Sequence, residues 1–428
     1  MIAQATTTQD SAVSNKRQFN YNLEFLRGIA ALLVIYHHAI VHKLLLDPGY
    51  QPTGVWAFNP PGHLSVLVFF VLSGYVIGLT NAKSLVGSTI GVYLKKRFWR
   101  IFPIYAVSII ATWLIAYPKY ALSALGGSLL FLQIIERAPI MWENNPTWSL
   151  YFEVVFYLVF IPVSFFRINS KLLTAVMFVM PFFLLMTWNS AAGNRFTIYT
   201  VFLCFWLAGL VISDRYRRAE VIKVNYPLLL SSVLALISLE YFNILQTVLT
   251  KALTLIHPFS ALSEENWQVR ISSFKEFVSL PLCLLIILFF AGAKNRFFTY
   301  GYYALLAINS LTFAYIFRHR QEAVVLPFVI PSLLYISSVL LLFFQKNPSL
   351  NSRLATLMHR GAALGGISYG IYIIHFPILV AFSKVQAASG SPATFSIRFV
   401  LFISITLGLA YLLEKWMQPL VMRLFVNK

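Results

Sequence analysis

The sequence predicts an all-α protein, a polytopic bundle of transmembrane helices. Of its 428 residues, 59% are hydrophobic and only 11% are charged, and the mean hydropathy is +0.74. Soluble domains carry about 25% charged residues, so this composition excludes an ordinary soluble domain. The apolar residues also occur in runs of about 20, the length of a helix that crosses a bilayer. Together these observations predict about 10–12 spans, with little chain left for a soluble module.

Twelve apolar runs have the length of a candidate span. They cover residues 23–45, 62–81, 98–117, 147–166, 171–189, 196–213, 224–243, 274–292, 300–317, 323–344, 362–383 and 395–413. A further run, 121–135, is shorter and contains two glycines, and we expect it to be re-entrant or interfacial. If the hairpin around "RHRQE" at 318–322 does not cross, the count falls to ten. Residues 244–273 form the longest predicted outer loop, which either shapes an outer pocket or lies passively at the interface.

Loop charge predicts the orientation of these spans. The segments 83–100 and 214–223 are rich in lysine and arginine, and the positive-inside rule places such segments in the cytoplasm. Both termini are then cytoplasmic, with residues 1–20 as a disordered tail, 21–418 as the membrane domain and 419–428 as a second tail. The net charge of +19 is explained by these loops and by contact with anionic lipids, and nucleic acid is not an expected partner.

Two cysteines, Cys204 and Cys283, lie inside apolar runs and exclude a disulfide framework. The sequence contains no glycine-rich phosphate loop and no Cys/His spacing typical of zinc. We therefore expect neither a bound metal nor a resident cofactor.

The first span, "EFLRGIAALLVIYHHAI", carries titratable side chains into the membrane. Arg27 and His38 are eleven residues apart, so they share one helix face and lie about 16 Å apart along the axis. His37 points about 80° away from that face, which makes His38 the better catalytic candidate. Glu24 is spaced to pair with Arg27. The alternative is that Arg27 snorkels to the interface and His38 only joins two helices, but ionisable groups inside a membrane are functional by default.

Two further motifs follow. In "FFVLSGYVIG", Gly74 and Gly78 form a small-xxx-small face that predicts close helix packing, and Ser73 either packs there or faces substrate.

In "LKKRFWRIFPIY", Arg97 and Arg100 share a helix face at the cytoplasmic mouth of a span. Paired guanidinium groups bind phosphates, although charge of this kind in a cytoplasmic loop is also a topology signal.

The segment "NPTWSLYFEVVFYL" predicts a polar stripe on an apolar helix. Ser149, Glu153 and Tyr157 are spaced i, i+4 and i+8 and therefore share one face. A carboxylate several residues inside a span costs a few kcal/mol unless it is paired or faces water. Glu153 is therefore a functional candidate on the outer side of the membrane.

The segment "ISYGIYIIHFPIL" predicts a second stripe. Ser368, Tyr372 and His375 fall at i, i+4 and i+7, again on one face. Hydrogen-bonded helix packing is the alternative to a functional role.

At these motifs the chain resembles the acyltransferase 3 family of integral-membrane acyltransferases, which O-acylate sugars of O-antigens, exopolysaccharides and related glycans. The matching residues are Arg27 and His38 (Arg/Lys-x10-His), Phe69, Phe70, Ser73 and Gly74 (Phe-Phe-x-x-Ser-Gly), Arg97 and Arg100 (Arg-x-x-Arg), Trp148, Ser149 and Glu153 (Trp-Ser-Leu-x-x-Glu), and Ser368, Tyr369, Tyr372 and His375 (Ser-Tyr-x-x-Tyr-x-x-His). Each motif is weak alone, but the set is in order and extends over most of the chain.

The resemblance implies an acyl-CoA donor, most simply acetyl-CoA, that enters from the cytoplasm, and a glycan or lipid-linked glycan acceptor. It implies His38 as the catalytic residue and Arg27, Arg97 and Arg100 as donor-handling residues. It also implies a location in the bacterial inner membrane. Many family members carry a fused SGNH hydrolase-like domain, for which this chain has no room.

Two other classes of function compete with an enzyme. A transporter or flippase of a polysaccharide precursor is expected to show repeat symmetry or paired broken helices, and neither is visible in the sequence. A structural partner in a polysaccharide-assembly complex is disfavoured by the shared Arg27–His38 face.

Overall fold

The structure is a computed structural model that describes residues 20–135, 137–216, 224–259, 262–292, 296–318 and 326–425. Most of the predicted N-terminal tail, of the basic loop 214–223 and of the "RHRQE" segment lies outside these residues, as do the last three residues. The described part folds into helices and contains no strand, which confirms the predicted all-α class.

Seventeen α-helices lie in the described ranges. They are α1 Tyr21–Val41, α2 Gly62–Thr80, α3 Ser88–Ala116, α4 Leu122–Leu129, α5 Thr147–Phe165, α6 Ser170–Thr187, α7 Ala191–Tyr216, α8 Tyr226–Phe242, α9 Ile244–Thr254, α10 Glu264–Lys275, α11 Ser279–Ala291, α12 Arg296–Arg318, α13 Val329–Phe343, α14 Pro348–Gly361, α15 Ser368–Ser383, α16 Pro392–Tyr411 and α17 Gln418–Phe425. A 3-10 segment, Ala362–Ile367, joins α14 to α15, and a π-helix, Leu412–Met417, joins α16 to α17.

Eight stretches of described helix are long and apolar enough to cross a membrane. They are α1, α2, α3, α5, α7 and the composite helices Glu264–Ala291, Pro348–Ser383 and Pro392–Phe425. Helices α8 and α9 make a ninth if their 40° bend lies within one span. The polytopic bundle is confirmed, and the other predicted crossings fall on α6, α12 and α13, which are shorter or less apolar.

The two predicted non-crossing segments are helical. Helix α4 has eight residues and is about 12 Å long, too short to cross the bilayer, which agrees with the expectation for residues 121–135. The predicted outer loop 244–273 instead forms α9 and most of α10. Ser263 caps α10 by accepting a hydrogen bond from the Asn266 N–H. Two glutamates in the first turn further stabilise the helix, because negative charge interacts favourably with the positive end of the helix dipole.

Small residues set the closest helix contacts, as the small-xxx-small motif predicts. Gly74 and Gly78 of α2 face α7, where an added Cβ would overlap the Trp206 carbonyl oxygen and the Ser213 hydroxyl, respectively. Gly365 allows a similar close approach between the 3-10 segment and α1, because an added Cβ would overlap the Glu24 backbone. These approaches fix the helices that surround the candidate site.

Candidate active site

A cavity of about 250 Å³ lies among α1, α2, α3, α5 and α15. Its charged and polar lining residues are Arg27, Ser73, Arg97, Arg100, Ser149, Glu153, Tyr157, Ser368, Tyr369 and Tyr372. The structure thus brings together motifs that lie far apart in the sequence. Four predicted site residues, Glu24, His38, Trp148 and His375, lie near this cavity without lining it.

Three arginines line the cavity, and the part of its wall that they form is here called the arginine end. Arg27 Nη1 donates to both carboxylate oxygens of Glu24, at 3.0 and 3.2 Å, so the predicted i,i+3 pair forms. Arg100 donates to Glu414, from Nη1 at 2.5 Å and from Nη2 at 3.4 Å. Arg97 has a different environment, 5.7 Å from the centroids of two tyrosine rings. The two arginines of the Arg-x-x-Arg motif therefore share the cavity, as expected, but have separate partners.

Sequence reasoning missed Glu414. The predicted last span ends at residue 413, one residue before Glu414, although the predicted membrane domain extends to residue 418. Glu414 is in fact buried, with 2% of its side chain exposed. The rule that marks ionisable groups in a membrane as functional candidates would have singled it out had the span been extended.

Glu153 lines the cavity together with its hydrogen-bond donors, Ser73 and Tyr157. Its Oε1 accepts from the Ser73 hydroxyl at 2.9 Å and from the Tyr157 hydroxyl at 2.5 Å. Trp206, which sequence reasoning also missed, donates from Nε1 to Ser73 Oγ at 3.3 Å. Ser73 therefore faces the cavity while its neighbour Gly74 provides the close packing. The predicted stripe on α5 exists, and among the described residues the hydrogen-bond partners of its carboxylate are hydroxyl groups and not a cation.

Other hydroxyl groups of the two predicted stripes have different surroundings. Ser149 Oγ and Tyr372 Oη are 2.7 Å apart, and this pair joins α5 to α15. Ser368 donates to the Gly365 carbonyl at 2.8 Å, a local contact at the start of α15. Trp148 lies outside the cavity, where it packs against Phe70, with ring centroids 6.3 Å apart.

Beyond Tyr372, one turn along α15, lies a pair of histidines. His38 Nδ1 is 2.9 Å from His375 Nε2, and His375 Nδ1 is 2.7 Å from the Tyr372 carbonyl oxygen. His37 points elsewhere, with Nδ1 2.9 Å from the Pro60 carbonyl oxygen. This divergence agrees with the helical-face argument that separates His37 from His38.

The hydrogen bonds assign the protons of the histidine pair. A carbonyl oxygen only accepts, so Nδ1 of His375 carries a proton and donates to Tyr372. In the neutral ring, His375 Nε2 then accepts, and the donor is His38 Nδ1. This assignment leaves the Nε2 of His38 unprotonated, which is the state that a general base requires.

Aromatic groups complete the surroundings of His38. The ring of His42 lies 5.2 Å from that of His38, and the Trp142 ring is 6.3 Å from His42. His42 is the C-cap residue of α1, four residues after His38, so the spacing of the two histidines indicates that they lie close together.

We expect Glu153→Gln to lower turnover about 10–100-fold, because an amide keeps an acceptor oxygen but loses the charge that strengthens the two hydroxyl hydrogen bonds. The measurement is acyl transfer in membranes matched for protein content by immunoblot. Glu265→Gln, an exposed residue on α10, is the matched control. Loss of the Glu153→Gln protein from the membrane would instead indicate a structural role.

Comparison with known proteins shows what the chain is similar to. Acyltransferase MdmB of Streptomyces mycarofaciens is 29% identical over 149 residues, an alignment that covers 32% of this chain and 38% of MdmB. Protein 2 in the picA locus of Rhizobium radiobacter is 30% identical over 157 residues, which is 31% of this chain and 76% of that protein. No solved structure matches the chain. The model of the acyltransferase 3 family, described as an acyltransferase domain, matches residues 20–415, and this multi-pass membrane protein therefore belongs to that family of acyltransferases.

Proposed function

We propose that this membrane acyltransferase moves an acyl group, most simply acetyl, from cytoplasmic acyl-CoA to a hydroxyl group of a cell-surface glycan or glycolipid. One observation carries the proposal: three arginines and a hydrogen-bonded carboxylate line one cavity, and a histidine pair lies beside Tyr372 of the cavity wall. Acyl-CoA enters as a substrate, not as a resident cofactor. The family model and the name of MdmB support acyl transfer and do not specify donor or acceptor.

The arginine end suits the donor. Coenzyme A carries several phosphates, and guanidinium groups bind phosphates by charge and by forked hydrogen bonds. Its pantetheine arm is long and narrow, and the rise of about 16 Å from Arg27 to His38 is a distance that such an arm spans. The thioester would then lie near the histidine pair while the acceptor approaches from the opposite side of the membrane.

His38 suits the general base. As the acceptor hydroxyl oxygen attacks the thioester carbonyl carbon, its proton passes to Nε2 of His38. The tetrahedral intermediate collapses with breakage of the carbon–sulfur bond, and the thiolate takes the proton from His38 and leaves as coenzyme A. Such proton transfer contributes about 10²–10⁴-fold to a rate. Direct transfer needs no activated serine or cysteine nucleophile, and Cys204 and Cys283 are buried outside the cavity.

Two assays test this function. Purified protein is incubated with acetyl-CoA and an extract of surface glycans from the host, and release of coenzyme A is followed together with O-acetyl groups on the glycan. In parallel, O-acyl groups on surface glycans are compared between wild type and a deletion strain. Release that needs the extract, with O-acyl groups lost in the deletion strain, supports the proposal. Unchanged O-acylation in the deletion strain contradicts it.

We also propose that both termini and the α2–α3 connection face the cytoplasm, with α10 beginning on the outer side. Ser88 and Ser263 are exposed and stand at these two positions. In a background without the two native cysteines, a cysteine at Ser88 should react with an impermeant thiol reagent only from the cytoplasmic side, and one at Ser263 only from outside. Labelling of both from the same side would overturn this topology.

A further inference from the structure

Glu414 is a buried acid at the arginine end of the cavity that the reaction above does not use. Besides Arg100, its carboxylate accepts a hydrogen bond from the backbone N–H of Gly370 at 3.1 Å. Gly370 lies in the first turn of α15, where backbone N–H groups have no partner within the helix. Glu414 therefore ties α3, α15 and the last membrane helix together beside the cavity.

The helix that carries Glu414 is widened at this point. Residues Leu412–Met417 form a π-helix, a form that is frequent at functional sites. Glu414 is the third residue of this π-helix and is buried, whereas the next two residues, Lys415 and Trp416, are exposed. A buried carboxylate in a membrane protein is costly unless a cation and hydrogen bonds compensate it, and Arg100 and Gly370 supply both.

The three arginines of the cavity differ in how their charges are compensated. Arg27 is paired with Glu24, and Arg100 with Glu414. The Nε of Arg97 is buried without a hydrogen-bond partner. Among the residues that the structure describes, Arg97 is therefore the cavity arginine that has no carboxylate partner.

We propose that Glu414 is a positioning residue of the donor end: it neutralises Arg100 and holds that guanidinium against the cavity wall, which leaves Arg97 to bind an anionic phosphate of the donor. This inference rests on the proposed function, because acyl-CoA supplies the phosphate. An ion pair has no net charge and attracts a phosphate much less than a single guanidinium does. The two arginines of one motif thus have different roles.

The test is the affinity of the purified full-length protein for coenzyme A, measured by calorimetry. Arg97→Gln is expected to weaken binding about tenfold or more, the effect of losing one charge-assisted hydrogen bond. The double variant Arg100→Gln/Glu414→Gln removes one cation and one anion and is expected to stay within about threefold of wild type. Glu414→Gln alone leaves the Arg100 charge uncompensated and is expected to tighten binding about threefold or more.

Thermal unfolding without coenzyme A separates these effects from loss of structure, and Glu265→Gln serves as the matched exposed control. A folded double variant that binds as poorly as Arg97→Gln would show that Arg100 itself binds phosphate and would overturn the inference. If the double variant does not fold, Glu414→Gln decides, since unchanged or weaker binding contradicts the proposed role. If wild type does not bind coenzyme A, the proposed donor fails and this inference fails with it.

Discussion

His38→Ala should abolish acyl transfer while the protein remains folded in the membrane, and His37→Ala should retain substantial activity. The expected loss for His38→Ala is about 10²–10⁴-fold, the contribution of a general base. The reason is geometric. His38 donates from Nδ1 to His375, which leaves Nε2 of His38 unprotonated, whereas the hydrogen bond of His37 goes to the carbonyl oxygen of Pro60. The measurement is O-acylation of surface glycans in a deletion strain that expresses each variant at equal levels.

Coenzyme A affinity is the control for this pair of variants. Both should bind coenzyme A like wild type, because the arginine end of the cavity is intact in each. An inactive His37→Ala beside an active His38→Ala would exchange the roles of the two histidines. It would also show that helix-face geometry does not select the base.

Local geometry was predictable from the sequence because a helix repeats every 3.6 residues. The pairing of Glu24 with Arg27, the close packing at Gly74 and the polar stripe around Glu153 all follow from spacing within one helix. Each of these needs only the knowledge that the segment is helical, which its apolar composition and length provide.

Contacts between helices were not predictable in this way. His38 and His375 are 337 residues apart, and Arg100 and Glu414 are 314 apart. Periodicity tells which face of a helix a residue occupies but not which helix lies opposite. The shared membership of both histidines in one family pattern marked them as functional, yet it did not predict that they touch.

Segments of intermediate polarity were the other difficulty. Hydropathy reports the composition of a segment and not its path, so it predicts 244–273 as an outer loop but not the helices that this loop contains. The same reasoning placed the end of the last span before Glu414. In the structure, one row of buried positions at intervals of four residues extends into the π-helix. The row consists of Phe402, Thr406, Ala410 and Glu414.

The second large effect is expected at His375. If His375 orients His38, the group it must supply is an acceptor for the proton on His38 Nδ1. Leucine has no acceptor, so His375→Leu should let the His38 ring rotate or change tautomer and lower kcat about 10²-fold or more. The side-chain oxygen of glutamine accepts a hydrogen bond, so His375→Gln should retain clearly more activity than His375→Leu.

The kinetic pattern distinguishes orientation of the base from loss of structure. Both His375 variants should keep the KM for acyl-CoA near the wild-type value, because the histidine pair lies outside the arginine-lined cavity. His359→Leu, at an exposed histidine of α14, should leave kcat unchanged. Equal and nearly full activity in the leucine and glutamine variants would mean that His38 needs no acceptor at Nδ1. Equal and complete loss in both would assign to the imidazole of His375 a role that an acceptor oxygen cannot fill, such as carrying a proton itself.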